Sequence, residues 1–271
     1  MAKYKKKRAR ELKHDKFRDT TMGYVDRAAH QLEGKGRTIL YGIGAIILIG
    51  LIAWGVMAWR GKKTDEASLA LGQAIKTMQA PVMATPIPGS TAPSFRTEKE
   101  RAQKALEEFQ KVAANYGGST GEMARYFAAT QQLVLDKDKG MAELDALAKG
   151  ASGDVAALSK FALAQAKEAA GKPEEAAALY GDLAKQNSTI ITPDTANLSL
   201  ALVYEKMNKK QEAADILFNI VENSRKAKDK DGKPIPESAA SRQAATELQK
   251  LDSARYAQLS PPPLPGNLAV Q

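Results

Sequence analysis

The chain has 271 residues, 44% of them hydrophobic, with 40 Lys/Arg against 31 Asp/Glu, a formal net charge of +9 and no cysteine. Without cysteine, disulfide frameworks, thiolate nucleophiles and Cys-based metal sites are excluded. The positive excess belongs to the opening arm, where 12 Lys/Arg meet 5 acids before residue 38, against 28 and 26 after residue 59; the bulk of the chain lacks the clustered basic charge of a nucleic-acid-binding domain.

Residues 1–37 read as a basic, weakly helical arm whose charges set topology and are suited to an anionic lipid surface or to ribosomal RNA. Residues 38–59, TILYGIGAIILIGLIAWGVMAW, hold no charge and no amide side chain. Twenty-two helical residues at about 1.5 Å each give roughly 33 Å, enough to cross a hydrocarbon core. The sequence therefore predicts a transmembrane helix, with Tyr41, Trp54 and Trp59 near its ends, where aromatics favour the headgroup layer. The Lys/Arg excess ahead of it predicts a cytoplasmic amino terminus and a translocated remainder, on the outer, periplasmic face of a bacterial inner membrane. A cleaved signal peptide ending at Val56-Met57-Ala58 is the competing pattern, but the apolar run and the arm are both too long for it.

Residues 60–96 read as a membrane-proximal helix, with Leu69, Leu71, Ile75 and Met78 at helical spacing, then a loop in APVMATPIPGSTAP, which carries four prolines. Thr97 and Glu100 form a capping box that restarts a helix ending at Gly117-Gly118. Over 97–224 a period emerges. Ala105 with Phe109, Ala142 with Ala146, Ala176 with Tyr180 and Ala213 with Leu217 each open the second half of a helical hairpin, at spacings of 37, 34 and 37 residues. A small residue where two helices cross, followed one turn later by a larger apolar one at a period near 34, is the tetratricopeptide pattern. The clearest unit is Ala157 to Ile190, with a turn at Gly171-Lys172 and Pro173 opening its second helix; the next is Asp194 to Ser224, entered through Thr192-Pro193. In the unit Gly121 to Ser152 the turn is expected at DKDKG, residues 136–140. Residues 225–259 read as a polar linker and one amphipathic capping helix, Ser238 to Leu259, and 260–271 as a proline-rich, polyproline-like tail. The expected fold is all-α: one transmembrane helix, then a tetratricopeptide-like α-solenoid with a carboxy-terminal cap.

The chemistry-bearing residues point away from catalysis. The two histidines, His14 and His30, both lie in the arm, so a serine nucleophile beyond the membrane lacks a histidine base, and nitrogen–sulfur metal sites lack ligands. The sequence predicts no enzyme, no cofactor and no metal. Binding remains. The first helix of each hairpin lines the concave face of a solenoid, which assigns a protein-binding groove to Leu158, Phe161, Gln165 and Glu168 from one unit and Leu198, Leu202, Glu205 and Lys206 from the next.

Gly23-Tyr24-Val25-Asp26 before the span, the glycine-spotted span ending in Trp59, Ala67-Ser68-Leu69-Ala70 after it and the two clear repeat units together resemble the YfgM-like family, an ancillary subunit of the SecYEG translocon. The likeness covers roughly residues 23 to 224; the lysine-rich opening, the proline loop at 80–93 and the proline tail depart from it. The resemblance implies a non-enzymatic scaffold in the inner membrane, with translocon subunits, periplasmic chaperones and exported chains as partners, and membrane lipid around the span and arm. The competing expectation is a transmembrane regulator or envelope assembly factor whose basic arm contacts a signalling partner or a lipid surface.

Overall fold

Helices account for the regular structure of residues 64–83 and 93–263, the part of the chain that the computed structural model describes. The arm, the apolar run 38–59 and the end of the tail lie outside the described residues. Among the described residues no helix is long and apolar enough to cross a membrane, and extended pairing is limited to isolated bridges such as Val82 with Phe95, which closes the root of the proline loop.

In chain order the helices are α1 over 64–78, α2 Glu98–Asn115, α3 Gly118–Leu135, α4 Lys137–Gly150, α5 Gly153–Ala169, α6 Pro173–Ala184, α7 Pro193–Lys206, α8 Lys210–Lys226, α9 Ala239–Leu251 and the single turn α10 Ser253–Tyr256. Their starts follow from local chemistry. Thr97 accepts the Glu100 amide at 3.1 Å, while the Glu100 carboxylate reaches back to the Arg96 amide at 3.1 Å. Thr192 caps α7 through the Thr195 amide, and Pro193 and Pro173 occupy first helical positions, where a missing N–H costs nothing.

Consecutive helices pack as hairpins: α1 with α2, α3 with α4, α5 with α6, α7 with α8, and α9 closes the series. Two of the turns are the same device repeated. After α5, Gly171 takes φ 73°, the Gly171 amide bonds the Glu168 carbonyl, and the Lys172 amide bonds the Lys167 carbonyl. After α7, 37 residues on, Asn208 takes φ 60° and the Asn208 and Lys209 amides bond Glu205 and Tyr204 in the same way. Both are Schellman endings, in which a left-handed residue turns the last helical carbonyls back on the chain.

Where the helices of a hairpin cross, the side chains are small. Ala74 and Ala105 share one buried cluster, Ala164 and Ala176 a second, and Ala201 and Ala213 a third, all at 0–1% exposure. One turn beyond each second-helix alanine stands a fully buried large residue: Phe109, Tyr180 and Leu217. The α3–α4 hairpin departs from the expected register. Residues 136–140 are not its turn: Asp136 alone links the helices, capping α4 through the Lys139 amide, and Gly140 already lies inside the helix. The buried small–large pair is Gly140 and Leu144, while Ala142 and Ala146 are exposed. A one-residue link leaves little room: a Cβ on Gly140 would stand 2.5 Å from the Leu133 nitrogen and 2.7 Å from its Cα. With Gly140 in register the second-helix small residues fall at 105, 140, 176 and 213, a period of 35 to 37.

The last hairpin is covered by α9, whose Ala244, Ala245 and Leu248 join Leu198, Ala201 and Leu217. Sequence periodicity extends this helix to Leu259, but Asp252 breaks it and recaps α10 through the Arg255 amide. Arg225 at the end of α8 fastens the closure. Its guanidinium, 5% exposed, bonds Glu237 at 2.8 Å, donates to the Ser260 carbonyl and lies over the Tyr256 ring.

Gly140→Ala is expected to cost about 3 kcal/mol, the upper end for an overpacked core position, because backbone rather than a flexible side chain must give way. Gly181→Ala, inside α6 with nothing within 4 Å of the added methyl, is expected to stabilise by about 0.5–1 kcal/mol. Urea melts of the two variants against the parent measure both. Glu237→Gln removes the charge from the Arg225 pair and is expected to lower stability by about 2 kcal/mol, read in the same melts.

Candidate functional site

The eight residues assigned to a groove from the sequence separate into two kinds. Leu158 and Phe161 on α5 are half-buried and pack on the cluster of Ala176, Tyr180 and Leu200, Phe161 meeting the Tyr180 ring edge-on at 5.4 Å between centroids. Leu198 on α7 is buried and Leu202 half-buried, both against α8 and α9. These four hold the stack together. Gln165 and Glu205 are exposed. Glu168 and Lys206 are brought together across α5 and α7, the ammonium donating to the carboxylate at 2.5 Å. That pair is open to solvent on the lysine side and contributes under about 1 kcal/mol. The first-helix face is therefore an apolar floor with polar groups above it, Gln165 and Glu205 being the ones offered outward.

Two concavities lie elsewhere, over the second helices. One, about 450 Å³, is bounded by Gln110 and Ala113 of α2, Glu122 and Arg125 of α3, and Glu143 and Ala146 of α4. The other, about 550 Å³, lies one hairpin on, between Asp138, Ala142 and Asp145 of α4 and Lys172, Glu175 and Ala178 of α6, with Leu163 and Lys167 of α5 beneath. None of the eight groove residues lines either. Their electrostatics differ by position. Glu122 accepts from the Ser152 hydroxyl at 2.5 Å and the Ser152 amide at 3.2 Å, bonds that hold its carboxyl below the usual range. Burial pushes the Glu143 carboxyl up. In the second hollow Lys167 and Lys172 both face Glu175, at 2.7 and 3.6 Å, and the Lys167 hydrogen bond pulls that carboxyl down. Deeper in the stack burial raises the Tyr180 hydroxyl, with the Glu168 charge adding to it.

The sequence hides the hollows because its alanine period puts Ala142 and Ala146 at the internal crossing. The signal for the alternative was present: Asp136 is an N-cap residue, which starts α4 early enough to put Gly140 on the inner face and the two alanines outside. Among the described residues no three His, Cys, Asp or Glu side chains come together as metal ligands. No family model, curated protein or solved structure matches the chain.

Leu198→Ala is expected to cost about 2–4 kcal/mol as a core truncation, whereas Gln165→Ala and Glu205→Ala stay within about 0.5 kcal/mol of the parent. Thermal melts of the three variants separate packing residues from those available to a partner.

Proposed function

We propose that this chain is a non-enzymatic scaffold: a tetratricopeptide-like domain carried outside the inner membrane by a single span at 38–59, binding proteins beside the Sec translocon. The observation that carries the binding role is the first-helix face. Hairpins stacked at a period of 35 to 37 residues present α5 and α7 side by side, with Gln165 and Glu205 projecting above a packed apolar floor. Such a surface suits the main chain and mixed side chains of an extended or partly folded polypeptide, because exposed amide and carboxylate groups bond backbone while the floor stays rigid. The membrane anchor rests on the hydropathy and flanking charge of residues 1–63. The place beside the translocon, with periplasmic chaperones and newly exported chains as partners, rests on the resemblance to YfgM-like proteins.

A photo-crosslinking amino acid placed at Gln165 and at Glu205 in turn, activated in intact cells and followed by mass spectrometry of the adducts, tests this reading. Adducts with translocon subunits, periplasmic chaperones or nascent exported chains are the expected result. Adducts confined to one envelope enzyme or one signalling receptor overturn it.

A further inference from the structure

The two hollows over the second helices are neighbours, and what separates them is only the outer face of α4. That face carries Ala142, which lines one hollow, and Ala146, which lines the other. The two lie one turn apart and stack on the same side of the helix. Both are exposed. The longer side chains at either end of the face are held in place by pairs within the helix: the Lys139 ammonium by Asp136 at 3.2 Å, the Lys149 ammonium by Asp145 at 2.6 Å. Between the hollows the face of α4 therefore rises by only the methyl groups of Ala142 and Ala146, a low saddle over which a track can run from one to the other.

The charges along this track are unequal in what they lack. Lys167 and Lys172 are matched by Glu175, Asp145 by Lys149, and Glu122 by Ser152. The Glu143 and Asp138 carboxylates have no ion-pair or hydrogen-bond partner among the described residues, and Glu143 stands exposed on the wall of the first hollow. An unmatched carboxylate accepts an incoming cation without first giving up a partner, which the paired carboxylates of the track cannot do. Arg125, on the wall of the first hollow, adds donors for carbonyl oxygen.

We propose that the track over α4 is a second protein-binding surface, one that takes an extended peptide segment carrying basic side chains, with a Lys or Arg of the segment against Glu143 and its small or apolar residues over Ala142 and Ala146. Crossing one helix diameter of about 10–12 Å plus half of each hollow is about 20 Å, or six residues of extended chain at about 3.3 Å each. The proposal rests on the protein-binding reading of the domain but uses residues separate from Gln165 and Glu205, neither of which lines the hollows.

The test uses purified full-length chain and two fluorescein-labelled hexapeptides, Leu-Ala-Lys-Leu-Ala-Lys and its counterpart with Glu for Lys, followed by anisotropy. The basic peptide is expected to bind saturably and at least tenfold tighter than the acidic one. Glu143→Lys is expected to remove that preference, and Ala146→Trp, which fills the saddle from an exposed position, to weaken the basic peptide at least tenfold with an unchanged thermal melt. Equal binding of the two peptides, no saturable binding, or binding indifferent to Glu143→Lys and Ala146→Trp overturns the proposal. Crosslinks from Gln165 and Glu205 in the Ala146→Trp chain distinguish the two failures: if they persist while the peptides do not bind, the inner surface stands and the outer one falls, and if both are absent the protein-binding reading falls as well.

Discussion

Close approach of two helix backbones at one small residue is the constraint on which this domain depends. An alanine or glycine at the crossing contributes little apolar area of its own. Its effect is to let the next residue on that face, one turn along, reach fully into the neighbouring helix: Phe109, Leu144, Tyr180 and Leu217 are each at 2% exposure or less. Full burial of such side chains stabilises by about 1.5–3 kcal/mol each. Aromatic residues make up only 6% of the chain, so a few well-seated large side chains carry a core otherwise built largely from alanine.

A stack of this kind holds neighbour to neighbour, and its ends are exposed unless covered. At the carboxy-terminal end the cover is α9, and its fastening is polar. Arg225 gathers Glu237, the Ser260 carbonyl and the Tyr256 ring, while Arg255 pairs with Asp215 and lies over Phe218. The two arginines thus tie α8 to the segment after α9 from both sides. Guanidinium suits this position because one planar group donates several bonds and stacks on a ring at the same time. Glu237 lies in the loop before α9 and Ser260 beyond α10, so the clamp also fixes the point from which the proline-rich tail departs.

Much of this architecture was legible in the sequence, and its failures have physical causes. The hairpins from 157 onward were legible because their turns contain residues that permit left-handed backbone, Gly171 and Asn208, and Pro173 opens the helix after the first of them. The second hairpin was not. DKDKG satisfies the composition of a turn and of a capped helix start equally well, and what decides between them is tertiary: the fit of Gly140 against the Leu133 backbone. For the binding face, a period of 3.6 puts all eight residues on one side of their helices, but it does not tell Gln165 and Glu205, which are exposed, from Leu198, which belongs to the packing against α8 and α9. The outer hollows depend on how far successive second helices stand apart, which no local pattern encodes.

The same geometry that closes the inside of the stack opens the outside. Helix α3 packs on α5 and α7 on the closing helix α9, whereas the second helices leave room between them for hollows of about 450 and 550 Å³. Helix α4 is the extreme case. It meets α3 through Gly140 and presents Ala142 and Ala146 on its exposed face. A glycine inside a helix costs about 1 kcal/mol against alanine, and exposed alanines recover none of that through packing. Here the glycine is required by the one-residue link to α3. The exposed alanines suit the helix, alanine being the strongest helix former, and they keep its outer face low. A low outer saddle with an unmatched Glu143 beside it thus lies on the same helix whose inner face is fixed by the one-residue link to α3.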